Sequence, residues 1–151
     1  HRSVFANPNC ALIHDELNRR MNRSEFMPFA PITIDTYAHQ NFCDYANTDQ
    51  CVKFMTKTFV CKGDMLSKAS AAVHCDGTAR PQVVFPHDDP ALYSFLKQVL
   101  SATHLPALIN TSFNAHEEPI VESPFNALSA LNEGMIDALV FNFKRIVCRV
   151  D

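Results

Sequence analysis

Two stretches of this chain set polar donors beside apolar runs. Residues 105–121 read LPALINTSFNAHEEPIV, and residues 74–84 read HCDGTARPQVV. In the first, Asn110, Thr111, Ser112 and Asn114 follow Ala107-Leu108-Ile109. In the second, Asp76, Gly77, Thr78 and Arg80 precede Val83-Val84-Phe85. Hydroxyls and carboxamides donate to phosphate or carbonyl oxygens, and an arginine fork takes two oxyanion oxygens at once. A strand that ends in such groups is suited to holding a small anionic ligand.

Each candidate also has a plainer reading. Arg80 stands first as a phosphate clamp, against a surface arginine in the turn after Asp76-Gly77. Asn110 and Ser112 would orient ligand oxygens, with Thr111 as a further donor. Such residues also cap strand ends and close Asx or Ser turns. Arg2, Arg20 and Arg23 together offer a cationic wall for a polyphosphate, although a helix arginine alone is commonly a solvated charge. Asp76 could help hold a nucleotide-bound metal, but Asp-Gly is foremost a turn signal. The chain has three glycines and no Walker-type loop, so side chains and strand-end amides would have to grip a phosphate.

His14, His39, His87, His104 and His116 show no close metal-ligand spacing, so no metal site is assigned. The six cysteines include no C-x-x-C pair. They read as free thiols of a reducing cytoplasm. His74 and Cys75, as neighbours on a strand, would point to opposite faces. A thiol enzyme built on Cys75 is therefore the weakest reading.

Positioning these groups calls for interleaved helices and strands. Asp89-Pro90 opens one helix as N-cap and first residue, with Leu92, Phe95, Leu96, Val99 and Leu100 at helical spacing. Ser123-Pro124 opens a second, expected to run to Gly134 with Leu128 and Leu131 inward. A third is expected from about Ala11 to Met21, with Ile13, Leu17 and Met21 on its core face. Alternation over 52–61 predicts a strand. Further strands are expected at 30–36, 83–85, 107–109, 138–141 and 146–150. The pattern predicts an α/β or α+β layer structure with a mixed sheet.

The 151 residues suit a single domain, 1–151, with its own core. Hydrophobic content of 47% and charged content of 19% are globular values. A net charge of −3 argues against a nucleic-acid partner. No apolar run approaches the ~20 residues of a membrane helix, and no signal-peptide pattern opens the chain. The chain begins with His1 and is expected to be a piece of a longer protein.

Five ordered blocks carry a family resemblance: His1-Arg2-Ser3-Val4; LNRR at 17–20 with FMPFAP at 26–31; DGTAR at 76–80; NTSFN with EEPIV across 110–121; and GMIDALV at 134–140. Together they resemble the C-terminal domain of the nodulation/antibiotic-type O-carbamoyltransferases. The resemblance implies a YrdC-like twisted mixed β-sheet flanked by helices. It implies a domain in which carbamoyl phosphate and ATP yield carbamoyl adenylate and pyrophosphate. The carbamoyl group would then pass to an acceptor hydroxyl in an N-terminal, metal-binding transferase domain, the expected partner. Arg80, Asn110 and Ser112 would be catalytic, Arg2, Arg20, Arg23 and Thr111 would help bind phosphate, and Mg²⁺ would travel with the ATP. A rival of another class is a non-catalytic nucleotide-binding or docking module. The family pattern has glycine where Glu117 stands, a place where glycine serves a positive backbone angle or a close ligand approach.

Overall fold

The computed structural model describes residues 1–23, 28–46 and 50–149. Phe26 and Met27 of the second block, and Val150 at the end of the last expected strand, lie outside the described residues. In chain order the main strands and helices begin with β1 (Ser3–Ala6), α1 (Leu12–Arg20), β2 (Ala30–Ile34) and α2 (Asp35–Asn41). They continue through β3 (Phe59–Val60), α3 (Asp64–Lys68), β4 (Thr78–Ala79), β5 (Gln82–Val84), α4 (Pro90–Thr103) and β6 (Leu108–Ser112). They end with α5 (Pro124–Asn132), β7 (Ala138–Phe141) and β8 (Arg145–Cys148). This is the expected mixed α/β fold.

The central sheet has the order β1-β6-β2-β5. β6 runs antiparallel to both β1 and β2, and β2 runs parallel to β5. Strand β2, APITI, is buried along its whole length, as a central strand covered on both faces must be. One face packs on α4, where Leu92, Leu96 and Leu100 meet Ile32, Ile34, Val84 and Leu108. On the other face Leu17 and Met21 from the α1 side enclose Ile109 with Phe29, Ala71 and Ala72. Burying each such large side chain contributes about 1.5–3 kcal/mol.

Local punctuation explains two of the helices. Asp89 accepts a hydrogen bond from the Leu92 amide ahead of Pro90, and α4 ends at His104 in the left-handed region. Ser123 and Asn126 form a reciprocal capping box at the start of α5. α5 ends at Asn132, before Gly134 at φ +79°.

Three sequence expectations need correction. The strand over 52–61 is absent: Gln50–Lys53 form a 3₁₀ turn, and only Phe59–Val60 are extended. On a strand Val52 and Phe54 would share a face, yet Val52 is fully buried and Phe54 is 70% exposed. The strand at 30–36 stops at Ile34, because α2 begins at Asp35. Leu128 does not face inward; Ala127, Ala130 and Leu131 make the core contacts of α5.

Candidate functional site

The end of β6 and the segment before β5 meet on the α4 side of the sheet. Register places Asn110 opposite Ala30 and Phe5, while Gln82 and Leu108 both lie opposite Ile32. Gln82 therefore reaches across the short side chain of Ala30. Its Oε1 accepts a 2.6 Å hydrogen bond from Asn110 Nδ2. Asn110 Oδ1 is buried and has no hydrogen-bond partner among the described residues. Leaving a buried polar atom unpaired costs about 1–3 kcal/mol, so this carbonyl is a place where a ligand donor would be stabilising.

Arg80 stands two residues before Gln82, between β4 and β5. It is exposed and makes no hydrogen bond or ion pair to a described residue. The turn that presents it is tightly built. Asp76 Oδ1 accepts from the Thr78 amide at 2.9 Å and from the Thr78 hydroxyl at 2.7 Å. These bonds hold the Asp76 carboxyl below its ordinary range. Gly77 sits at φ +79°, and its carbonyl accepts from the Cys61 amide. Asp76 is thus a turn builder. His74 lies in the same turn, its Nδ1 3.0 Å from Thr78 Oγ1, and Cys75 is exposed. All six cysteines are free. Burial pushes the Cys61 thiol up to about 11, which leaves it unreactive near neutral pH.

The polar residues of β6 divide between two faces. Ser112 lies on the Asn110 face and is exposed, opposite Ser3 of β1. Thr111 lies on the other face. There its hydroxyl accepts a 2.6 Å bond from Arg23 Nη2, and the Arg23 guanidinium lies 4.9 Å from the centre of the Phe29 ring. Burial pushes the Arg23 pKa down from its ordinary value.

Arg2 adjoins Ser112 at the start of β1, and its Nη1 donates to the Val121 carbonyl at 3.2 Å. Arg20 is committed elsewhere: Nε donates to Glu16 at 2.7 Å and Nη1 to Asp137 at 2.6 Å. It borders a separate polar cleft of about 440 Å³, with Arg19, Asn22, Glu118, Glu133 and Arg149 on its walls. The three arginines of the expected cationic wall are therefore spread over different surroundings.

One residue of the site was given no role from sequence. Gln82 was hidden because its part depends on strand register, although it lies just beyond DGTAR. Asn114 braces the loop after β6, with Nδ2 donating to the Ala115 and Glu118 carbonyls at 2.8 and 2.9 Å. Its Oδ1, like that of Asn110, is buried without a partner among the described residues. In the same loop Glu117 adopts φ +63°, so the backbone angle that a glycine would serve is kept by a glutamate.

The family described as "Carbamoyltransferase C-terminus" matches residues 1–147. Nodulation protein NolO of Bradyrhizobium diazoefficiens is 34% identical over 143 residues, covering 93% of this chain and 26% of NolO. Nodulation protein NolNO of Sinorhizobium fredii is 31% identical over 141 residues, covering 93% of this chain and 21% of that protein. The chain thus spans about a fifth to a quarter of the length of these relatives. Among solved structures, full-length HypF in its phosphate- and nucleotide-bound form superposes with a TM-score of 0.58 at 21% identity. That match covers 87% of this chain and 19% of HypF, a likeness of fold. With residues 1–147 matched by one family, the chain belongs to the carbamoyltransferase C-terminal domain family.

Proposed function

We propose that this domain binds ATP and carbamoyl phosphate and forms carbamoyl adenylate, which a second domain of the parent protein uses to carbamoylate an acceptor hydroxyl. The observation that carries the reading is the Gln82–Asn110 hydrogen bond. It joins the strand following DGTAR to NTSFN at one end of the sheet, beside an unengaged arginine. HypF, the structural neighbour, is described as phosphate- and nucleotide-bound, which is consistent with this use of the fold.

The chemistry sets definite demands. Carbamoyl phosphate loses phosphate to water, leaving carbamate. A carbamate oxygen then attacks the α-phosphorus of ATP, and the bond to the β-phosphate oxygen breaks to release pyrophosphate. Charge gathers on the phosphoryl oxygens in such a transfer, and fixed donors and cations stabilise it without a covalent protein intermediate. In this reading Arg80 grips a phosphate in its planar fork. Asn110, held by Gln82, presents its carboxamide to the carbamoyl group. Ser112 donates its hydroxyl to an α-phosphate oxygen, and Arg2 adds charge beside it. Thr111 and Arg23 support the strand from the opposite face. The proposed Mg²⁺ enters with the ATP phosphates.

Pyrophosphate release tests the proposal. It is expected to require both ATP and carbamoyl phosphate and to fall in Arg80→Ala. Nucleotide binding with no pyrophosphate release would favour a non-catalytic module.

A further inference from the structure

The β7–β8 hairpin has two unlike faces. Leu139, Phe141 and Val147 turn inward onto the cluster of Val4, Phe113, Ala127, Ala130 and Leu131. Ala138 pairs with Cys148, and Val140 with Ile146, on the outer face. All four are exposed, Val140 by 47% and Ile146 by 71%. A surface strand ordinarily alternates apolar inside with polar outside, whereas the described residues of this outer face are alanine, cysteine, valine and isoleucine. Among the described residues the hairpin is also a separate two-stranded sheet, so each strand has one paired edge and one unpaired edge. A two-stranded ribbon is marginal by itself, and an apolar face with open edges is a template for association.

The hairpin is nevertheless firmly mounted. At its tip Asn142 and Phe143 both adopt positive φ, 51° and 55°, and Lys144 N donates to Phe141 O at 3.0 Å. Such a turn prefers glycine at its second central position. The Phe143 ring instead packs 5.4 Å from that of Phe95 on α4. Inner face and tip are thus tied to the body of the domain, and the bare face is held outward.

We infer that this outer face is a docking surface for another region of the same polypeptide. That region would correspond to the larger part of the relatives that lies outside the match, 74% of NolO by difference from the 26% covered. An apolar surface of that region, with or without a strand added to an open edge, is the occupant. The inference rests on the proposed reading of the chain as one domain of a longer carbamoyltransferase.

Hydrogen exchange on this chain and on the full-length polypeptide containing it provides the test, each as wild type and as Val140→Thr/Ile146→Thr. Threonine keeps the β-branched shape and removes apolar surface. Amides of 138–148 are expected to exchange at least tenfold more slowly in the full-length wild type, and the double substitution should erase most of that difference. The isolated variant should melt as the isolated wild type does. Equal exchange in the two wild-type polypeptides would overturn the inference. So would a concentration-dependent dimer of the isolated chain that the double substitution abolishes, since a second copy would then be the occupant. Pyrophosphate release from the same samples separates the two proposals. Activity with an unprotected hairpin removes the docking surface alone, and a protected hairpin without activity removes the functional reading alone.

Discussion

Arg80 and Glu117 respond to substitution in opposite ways because one offers charge and the other offers backbone conformation. Arg80 is exposed and unengaged among the described residues, so Arg80→Ala should leave the melting temperature unchanged. A charge-assisted hydrogen bond contributes about 1.5–3 kcal/mol, so nucleotide affinity should fall roughly tenfold to a hundredfold. Lysine should rescue only partly, since it keeps the charge and loses the fork. Titration calorimetry and a melt on the same variant check both halves, and a large fall in melting temperature would make Arg80 structural. Glu117 at φ +63° carries a left-handed penalty of about 1–2 kcal/mol, partly offset against glycine by the latter's greater chain entropy. Glu117→Gly should therefore stabilise by about 0.5–1 kcal/mol in denaturant melts, and Glu117→Val should destabilise. The need for a positive angle there was legible in the sequence through the family pattern. That glutamate could meet it was not, because an exposed turn tolerates strain that no local pattern reports.

Elements with strong punctuation were legible, and those without it were not. Asp89-Pro90 and Ser123-Pro124 marked α4 and α5 because a side-chain acceptor followed by proline satisfies the first amides of a helix. Removing the Ser123 acceptor in Ser123→Ala should cost about 1 kcal/mol and lower the melting temperature by about 2–4 °C. In 52–61, alternating residue types mimicked a strand, but tertiary packing buries Val52 and leaves Phe54 outside. α2 escaped notice because it follows β2 without a loop. On α1, Arg19 and Arg20 pull the Glu16 carboxyl from its ordinary 4.5 to about 2. The sign follows from a lowered carboxylate pKa: any stability gained is present above about 4.5 and is lost as pH falls toward 2. An NMR titration should place the Glu16 midpoint near 2. Arg20→Gln should move it upward; an unmoved midpoint would remove Arg20 from that ion cluster.

At the scale of the whole molecule, composition and the interleaving of elements made the mixed α/β fold readable. The convergence of two distant segments was not readable from local pattern, because it depends on β6 and β5 flanking β2 and on Ala30 leaving room between Gln82 and Asn110. Nor did the sequence reveal that β6 continues through Asn110, Thr111 and Ser112, which sets Thr111 and Asn110 on opposite faces, or that Arg20 is taken up by Glu16 and Asp137. The proposed function requires DGTAR and NTSFN to form one nucleotide-binding site. Its most direct test is an NMR titration of this chain with Mg²⁺ and ATP, following the backbone amides and the Asn and Gln side-chain amides. Saturable shifts are expected, concentrated at Arg80, Gln82, Asn110 and Ser112, and they should be lost in Arg80→Ala. No shift at millimolar nucleotide, or shifts gathered instead around Arg19 and Arg149, would contradict it.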